Sequence, residues 1–182
     1  MDAPILLLPD AGPLITLAYA DVLDLLLKPG WPVQIVDMVL LEVTRNQTPT
    51  SQAIASWVHV NQLRVLPTKT WAHFQHLQTS GAVPGAVVGI NPARKSNLGE
   101  LAIQEAMNEF ALLDPPPTGV FLFEDHKIAR TSFLLPDACR KVSTRAFLIF
   151  LEQKGWLASA AEIERKAILG GRNFSKLRFP PA

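Results

Sequence analysis

The 182-residue chain has one cysteine, Cys139, one tyrosine and only 16 acidic residues. A lone thiol excludes a disulfide framework and any multi-thiolate zinc site. No stretch approaches the ~20 apolar residues of a membrane span. The opening Met1-Asp2-Ala3-Pro4 lacks the basic start of a signal peptide, so the expectation is a soluble, cytoplasmic protein with no membrane partner. A field of one sign is also missing, because 17 Lys and Arg face 16 Asp and Glu for a formal net charge of +1. That excludes nucleic-acid binding by overall charge; a polyanion has to be held by a local patch or through a metal. Hydrophobic residues make up 48% and charged residues 18%, which excludes a disordered chain. The length suits one domain at about 150 residues each. We read it as residues 1–170, followed by a basic tail over 171–182.

What is present is an alternation of strand and helix signals. Ile5–Leu8 and Val120–Phe123 are short, wholly apolar runs, as in strands covered on both faces. Val33–Val36 reads as another strand, and Leu63–Leu66 and Arg140–Val142 as short ones. Leu14, Leu17, Ala18, Val22 and Leu25 recur at helical spacing, predicting a helix from Gly12 to about Leu27, stopped by Lys28-Pro29-Gly30. Further helices are expected over Met38–Arg45, Ser51–Val60, Thr70–Thr79, Asn97–Leu112, the segment from Glu124-Asp125 to Leu134, Arg145–Lys154 capped by Ser143-Thr144, and Ser159–Leu169. Ser80–Ser96, with its glycines and prolines, reads as an extended loop. The fold class is therefore α/β: a doubly wound, mostly parallel sheet flanked by helices. Ligands bind such sheets in the crevice at the carboxyl ends of the strands.

The acids fall where that rule points. Asp10 follows the first strand, Asp37 the second with Glu42 beyond it, Glu100 opens the long helix, and Glu124-Asp125 follow Val120–Phe123. Each has an ordinary explanation. Asp10 and Asp125 suit helix caps, Asn97 with Glu100 suits a capping box, and Glu42 suits a solvated helix face. If several instead meet at one sheet edge, their mutual repulsion calls for a cation. Oxygen-only ligation suits Mg²⁺ or Mn²⁺, which can activate water and clamp a phosphodiester.

These segments resemble a known family, the PIN-domain ribonucleases, including the VapC-type toxins. Leu7–Leu17 resembles the family's opening strand, first acid and helix, and Val39–Val43 the segment with the second acid. Leu98–Ile103 resembles the third acidic segment, Phe121–Arg130 the fourth, and Lys141–Leu148 with Gly155-Trp156-Leu157 the closing strand and helix of a toxin-like branch. Together they cover residues 5–158. Gly12 stands where many members have Ser or Thr, with Thr16 one helical turn on; Glu124 stands where Asp is common; and the Ser80–Ser96 loop is long for the family. The resemblance implies a PIN-like fold and a catalytic set of Asp10, Glu42, Glu100 and Asp125. It also implies Mg²⁺ or Mn²⁺ on Asp10, Glu100 and Asp125, with Glu124 an additional or alternative ligand. The implied activity is endoribonucleolytic cleavage of RNA by the toxin of a toxin–antitoxin pair, with an antitoxin partner and a possible homodimer.

Arg94, Lys95, Lys127 and Arg130 are candidate substrate contacts near the strand ends, as are Arg140, Lys141 and Arg145; a solvated surface is the commoner explanation for any single one. His126 follows the acid pair, and His73 with His76 makes half a zinc site with no second half. Trp57, Trp71 and Trp156 suit core or interface packing. Arg172–Arg178 carries basic residues without an acid and reads as a frayed tail, or as a segment that binds RNA or a partner. Two other functions compete. A phosphoryl-transfer domain wants a second Asp two residues after Asp10, where Gly12 stands. A degenerate, non-catalytic PIN-like module would bind RNA or a protein without cutting.

Overall fold

A computed structural model describes residues 3–79, 98–124 and 135–173. The expected loop Ser80–Ser96, the helix expected after Glu124-Asp125 and most of the C-terminal tail lie outside them.

The described residues form a mixed α/β fold. The strands are β1 Ile5–Pro9, β2 Gln34–Val36, β3 Arg64–Leu66, β4 Thr118–Phe123 and β5 Cys139–Ser143. The helices are α1 Ala11–Tyr19, α2 Asp37–Thr44, α3 Pro49–Val60, α4 Lys69–Thr79, α5 Leu98–Ala111, α6 Thr144–Gln153 and α7 Ala160–Leu169, with a 3-10 turn at Leu23–Leu27. β1, β4 and β5 make a three-stranded parallel sheet in the order β1-β4-β5, while β2 and β3 pair in parallel beside it. A parallel bridge between Leu7 and Val33, with the Leu7 amide donating to the Pro32 carbonyl at 2.9 Å, joins the two. The spatial order is then β3-β2-β1-β4-β5, and it reverses direction between β1 and β4, so the crevice forms at the carboxyl ends of those strands. Asp10 and Glu124 are the residues that follow those two ends.

Alternate residues of a strand face opposite sides. Leu7 and Leu8 are both fully buried, and Val120 to Phe123 are buried without interruption, so both faces of the central strands are covered. This is the reason wholly apolar runs form strands here rather than alternating ones.

The predicted helix from Gly12 to Leu27 is two pieces. α1 ends at Tyr19, and Asp21 takes a left-handed conformation at φ 56°. The amide of Val22 bonds back to the carbonyl of Leu17 and that of Asp21 to Ala18, the six-to-one and five-to-two bonds of a Schellman turn. Leucines continue at helical spacing beyond it because the 3-10 turn buries Leu23, Leu25 and Leu26 in the same core. The remaining described elements fall within a few residues of their predicted bounds. Thr48 and Ser51 form a capping box on α3 with Pro49 at its start, Ser143 accepts from the Ala146 amide at the head of α6, and Ser159 accepts from Glu162 at the head of α7. Trp57 is buried with its indole N–H on Asp24 at 2.9 Å, Trp71 stacks on Phe74, and Trp156 stays partly exposed, edge-on to Phe150.

Candidate active site at the switch point

Asp10 occupies the N-cap position of α1 with extended backbone, yet its side chain makes no capping hydrogen bond. Its amide donates to the Leu122 carbonyl at 2.9 Å, which pins the end of β1 to β4. The carboxylate points across the crevice toward the start of α5. A Cβ placed on Gly99 would meet Glu42 Oε2 at 3.2 Å, Val39 Cγ2 at 3.3 Å and Asp10 Oδ1 at 3.7 Å. Two carboxylates from α1's head and α2 thus reach within 4 Å of one point, on the buried backbone of the first turn of α5. Gly99 is the residue type that admits them. The partial positive charge at the N-terminus of α5 favours carboxylates there.

Glu42 keeps much of its residue surface open, but its carboxyl end is crowded by the protein. Burial of that end pushes its pKa above the ordinary carboxylate range, and the charge of Arg45 offsets this in part. Glu100 sits in the first turn of α5, half-buried, one residue after Gly99.

Glu124 has a different environment. Its side chain is 8% exposed and bonded on both oxygens. The Thr16 hydroxyl lies 2.7 Å from Oε1 and 2.9 Å from Oε2, and the Arg172 guanidinium donates to Oε2 at 2.6 Å and to the Thr16 oxygen at 2.9 Å. Arg172, expected in a frayed tail, is instead tied to the protein body. Gly171 at φ 108° closes a Schellman turn, with the Arg172 amide on Ala167 and the Gly171 amide on Ile168, and this turns the chain back onto α1. Nearby on α7, Glu164 approaches Arg145 at 3.8 Å, and its pKa is raised by burial, lowered by Arg145 and raised by the charge of Glu124.

Asp37 belongs to the scaffold. Its carboxylate accepts from the Thr68 amide and hydroxyl, both at 2.7 Å, and from the Met38 amide at 2.8 Å, tying the end of β2 to the head of α4. Glu105 on α5 binds the Lys69 and Thr70 amides at that same head. Arg140 is turned to the carbonyls of Asp137 and Cys139, and His73 and His76 lie on the exposed side of α4. Of the expected site residues, Asp10 and Glu42 are brought together, Glu100 is adjacent, and Glu124 is paired with Arg172. Asp125, Arg94, Lys95, His126, Lys127 and Arg130 lie outside the described residues.

Among the described residues, no group of three or more His, Cys, Asp or Glu side chains is set to hold a metal ion. The pair that does converge has the chemistry of a hard-cation site: carboxylate oxygens only, on a glycine cradle that a Cβ would crowd. Thr16 and Arg172 show in the sequence only as a hydroxyl one turn after Gly12 and as a basic residue after a Gly-Gly pair. Nothing in that pattern says that they meet. No protein-family model matches the chain, and a search of curated proteins found no match. No helix among the described residues is long and apolar enough to cross a membrane.

Proposed function

We propose that the protein is a metal-dependent endoribonuclease of PIN-like, doubly wound architecture, the toxin of a toxin–antitoxin pair. The observation that carries the reading is the approach of Asp10 and Glu42 to one point beside Gly99, at the switch point of the parallel sheet. Asp10, Glu42, Glu100 and Asp125 are the proposed catalytic carboxylates, with Mg²⁺ or Mn²⁺ as cofactor. RNA is the substrate, an antitoxin protein and a second copy of the chain are the partners, and the cytoplasm is the location.

A divalent cation supplies Lewis acidity when bound, lowering the pKa of a water and neutralising phosphate charge. The residues themselves orient and hold. The Asp10 backbone, fixed on β4, sets where its carboxylate stands. Glu42, held beside Gly99, brings a second carboxylate to the same place. The N-terminus of α5 favours an anion beside Gly99, and Arg94, Lys95, Lys127 and Arg130 are the proposed phosphate contacts.

The competing reading is a degenerate module that binds RNA or protein without cutting. It is favoured by the pairing of Glu124, one of the expected metal ligands, with Arg172. Cleavage of a labelled RNA in Mg²⁺ or Mn²⁺, with and without chelator, separates the two. We expect metal-dependent cutting that falls on the order of 100-fold or more in Asp10→Asn. RNA binding without cutting by the unaltered protein supports the module, and equal cutting by both proteins removes Asp10 from the chemistry. Growth arrest on expression, relieved by the neighbouring reading frame, tests the toxin role.

A further inference from the structure

Glu124, Thr16 and Arg172 close a three-membered ring of hydrogen bonds among side chains far apart in sequence: 108 residues separate Thr16 from Glu124, and 48 separate Glu124 from Arg172. Thr16 is 1% exposed, the Glu124 side chain 8% and the Arg172 side chain 20%. A buried carboxylate needs a counter-charge. Here the chain provides one itself, in a short, charge-assisted bond to an oxygen that already accepts from a hydroxyl. We propose that Arg172 is the built-in counter-ion of Glu124. On this view Glu124 is a positioning residue that anchors the end of β4 and the C-terminal segment, and it is not one of the carboxylates that hold the metal.

This deepens the reading of the site as a divalent-cation centre and rests on it for the part concerning metal. A carboxylate paired with a guanidinium has its charge offset, so it adds little to the pull on a cation. Asp10 and Glu42 have their carboxyls at a separate place, beside Gly99. The ring also ties the end of β4 to α1 and to the turn after α7. Gly170 supports this, since a Cβ there would meet the Tyr19 carbonyl oxygen at 2.6 Å.

The experiment compares the unaltered protein with Glu124→Gln, Arg172→Met, the double variant and Asp10→Asn. Mn²⁺ binding is measured by titration calorimetry, and thermal unfolding is followed in chelator. We expect Glu124→Gln to bind Mn²⁺ within about 3-fold of the unaltered protein and Asp10→Asn to bind on the order of 10-fold or more weakly. In chelator, Arg172→Met should lower Tm by roughly 10 °C, because it takes the guanidinium from a buried carboxylate, and the double variant should recover most of that loss. If Arg172→Met does not fold while the double variant does, the pairing is equally supported. Arg172→Lys, which keeps the charge and loses the fork, should fall between the two. Glu124→Gln weakening Mn²⁺ binding as much as Asp10→Asn overturns the proposal, and so does a double variant no more stable than Arg172→Met. If the unaltered protein binds no Mn²⁺, the metal-centre reading fails, and the chelator arm still decides the counter-ion.

Discussion

A methyl group on Gly12 would stand 2.9 Å from the Cβ of Glu124 and 3.2 Å from its Oε2. Residues 12 and 124, from the first turn of α1 and the end of β4, are therefore in direct contact. The nearest atom is the Cβ of residue 124, which any residue but glycine would place there, and a side chain at 12 has no room beneath it. The hydroxyl that reaches Glu124 comes from Thr16, one helical turn on.

Gly12→Ala is expected to destabilise the protein by about 1–3 kcal/mol through overpacking, lowering Tm by several degrees. The closest atom is the Cβ of Glu124, so a Glu124→Ala background should leave most of the penalty and Glu124→Gly should remove it. Thermal unfolding of the four proteins checks this; equal relief by Ala and Gly at 124 would contradict the contact.

Gly99→Ala tests the carboxylate pair. The added methyl crowds Glu42 Oε2 at 3.2 Å, the flexible end of a side chain, so the chain yields by moving Glu42. The buried Val39 Cγ2 at 3.3 Å must give as well, offsetting alanine's advantage over glycine in a helix, so Tm should change by no more than a few degrees while Mn²⁺ affinity and RNA cleavage fall. Unchanged cleavage would mean that the position of Glu42 beside Asp10 does not matter.

Asp37→Asn separates scaffold acids from site acids. It weakens three hydrogen bonds, two of which join the end of β2 to Thr68 at the head of α4. The expected cost is about 1–3 kcal/mol, read as a lower denaturation midpoint, with Mn²⁺ affinity of the folded protein unchanged. A Mn²⁺ defect as large as that of Asp10→Asn would place Asp37 in the site.

Glu164 gives the fold a pH dependence. Its pKa is raised in the folded protein, chiefly by burial, with Arg145 opposing and Glu124 reinforcing the shift. A carboxyl whose folded pKa lies above its unfolded one contributes stability below the unfolded value and loses it as pH rises through the folded value. The Tm of the unaltered protein should thus drop relative to Glu164→Gln as pH climbs from acid through the range above the ordinary carboxylate value. Parallel Tm curves for the two proteins across that range would show that the side chain is not shifted.

Much of the architecture was legible because its signals are local. Ile5–Leu8 and Val120–Phe123 are too apolar to be half-exposed, and both proved to be central parallel strands. Ser143 announced a helix start through side-chain chemistry confined to one turn. The break in the first helix was not legible. Apolar spacing continues through Leu23–Leu27, and the only sign is Asp21 in a left-handed conformation that many residues would avoid. Of the acids, position in the chain identified Asp10 and Glu42 as candidates, but it gave Asp37 the same standing, and only its bonds to Thr68 mark it as structural.

The sequence by itself determined a parallel α/β chain with acids at the ends of its strands, because periodicity and turn chemistry act over a few residues. Tertiary structure alone decided which acids share a space, which one is a tie between secondary elements, and that an arginine near the C-terminus neutralises Glu124. Charge interactions are set by distances between side chains that the order of residues does not specify, and Arg172 meets Thr16 across 156 residues of chain.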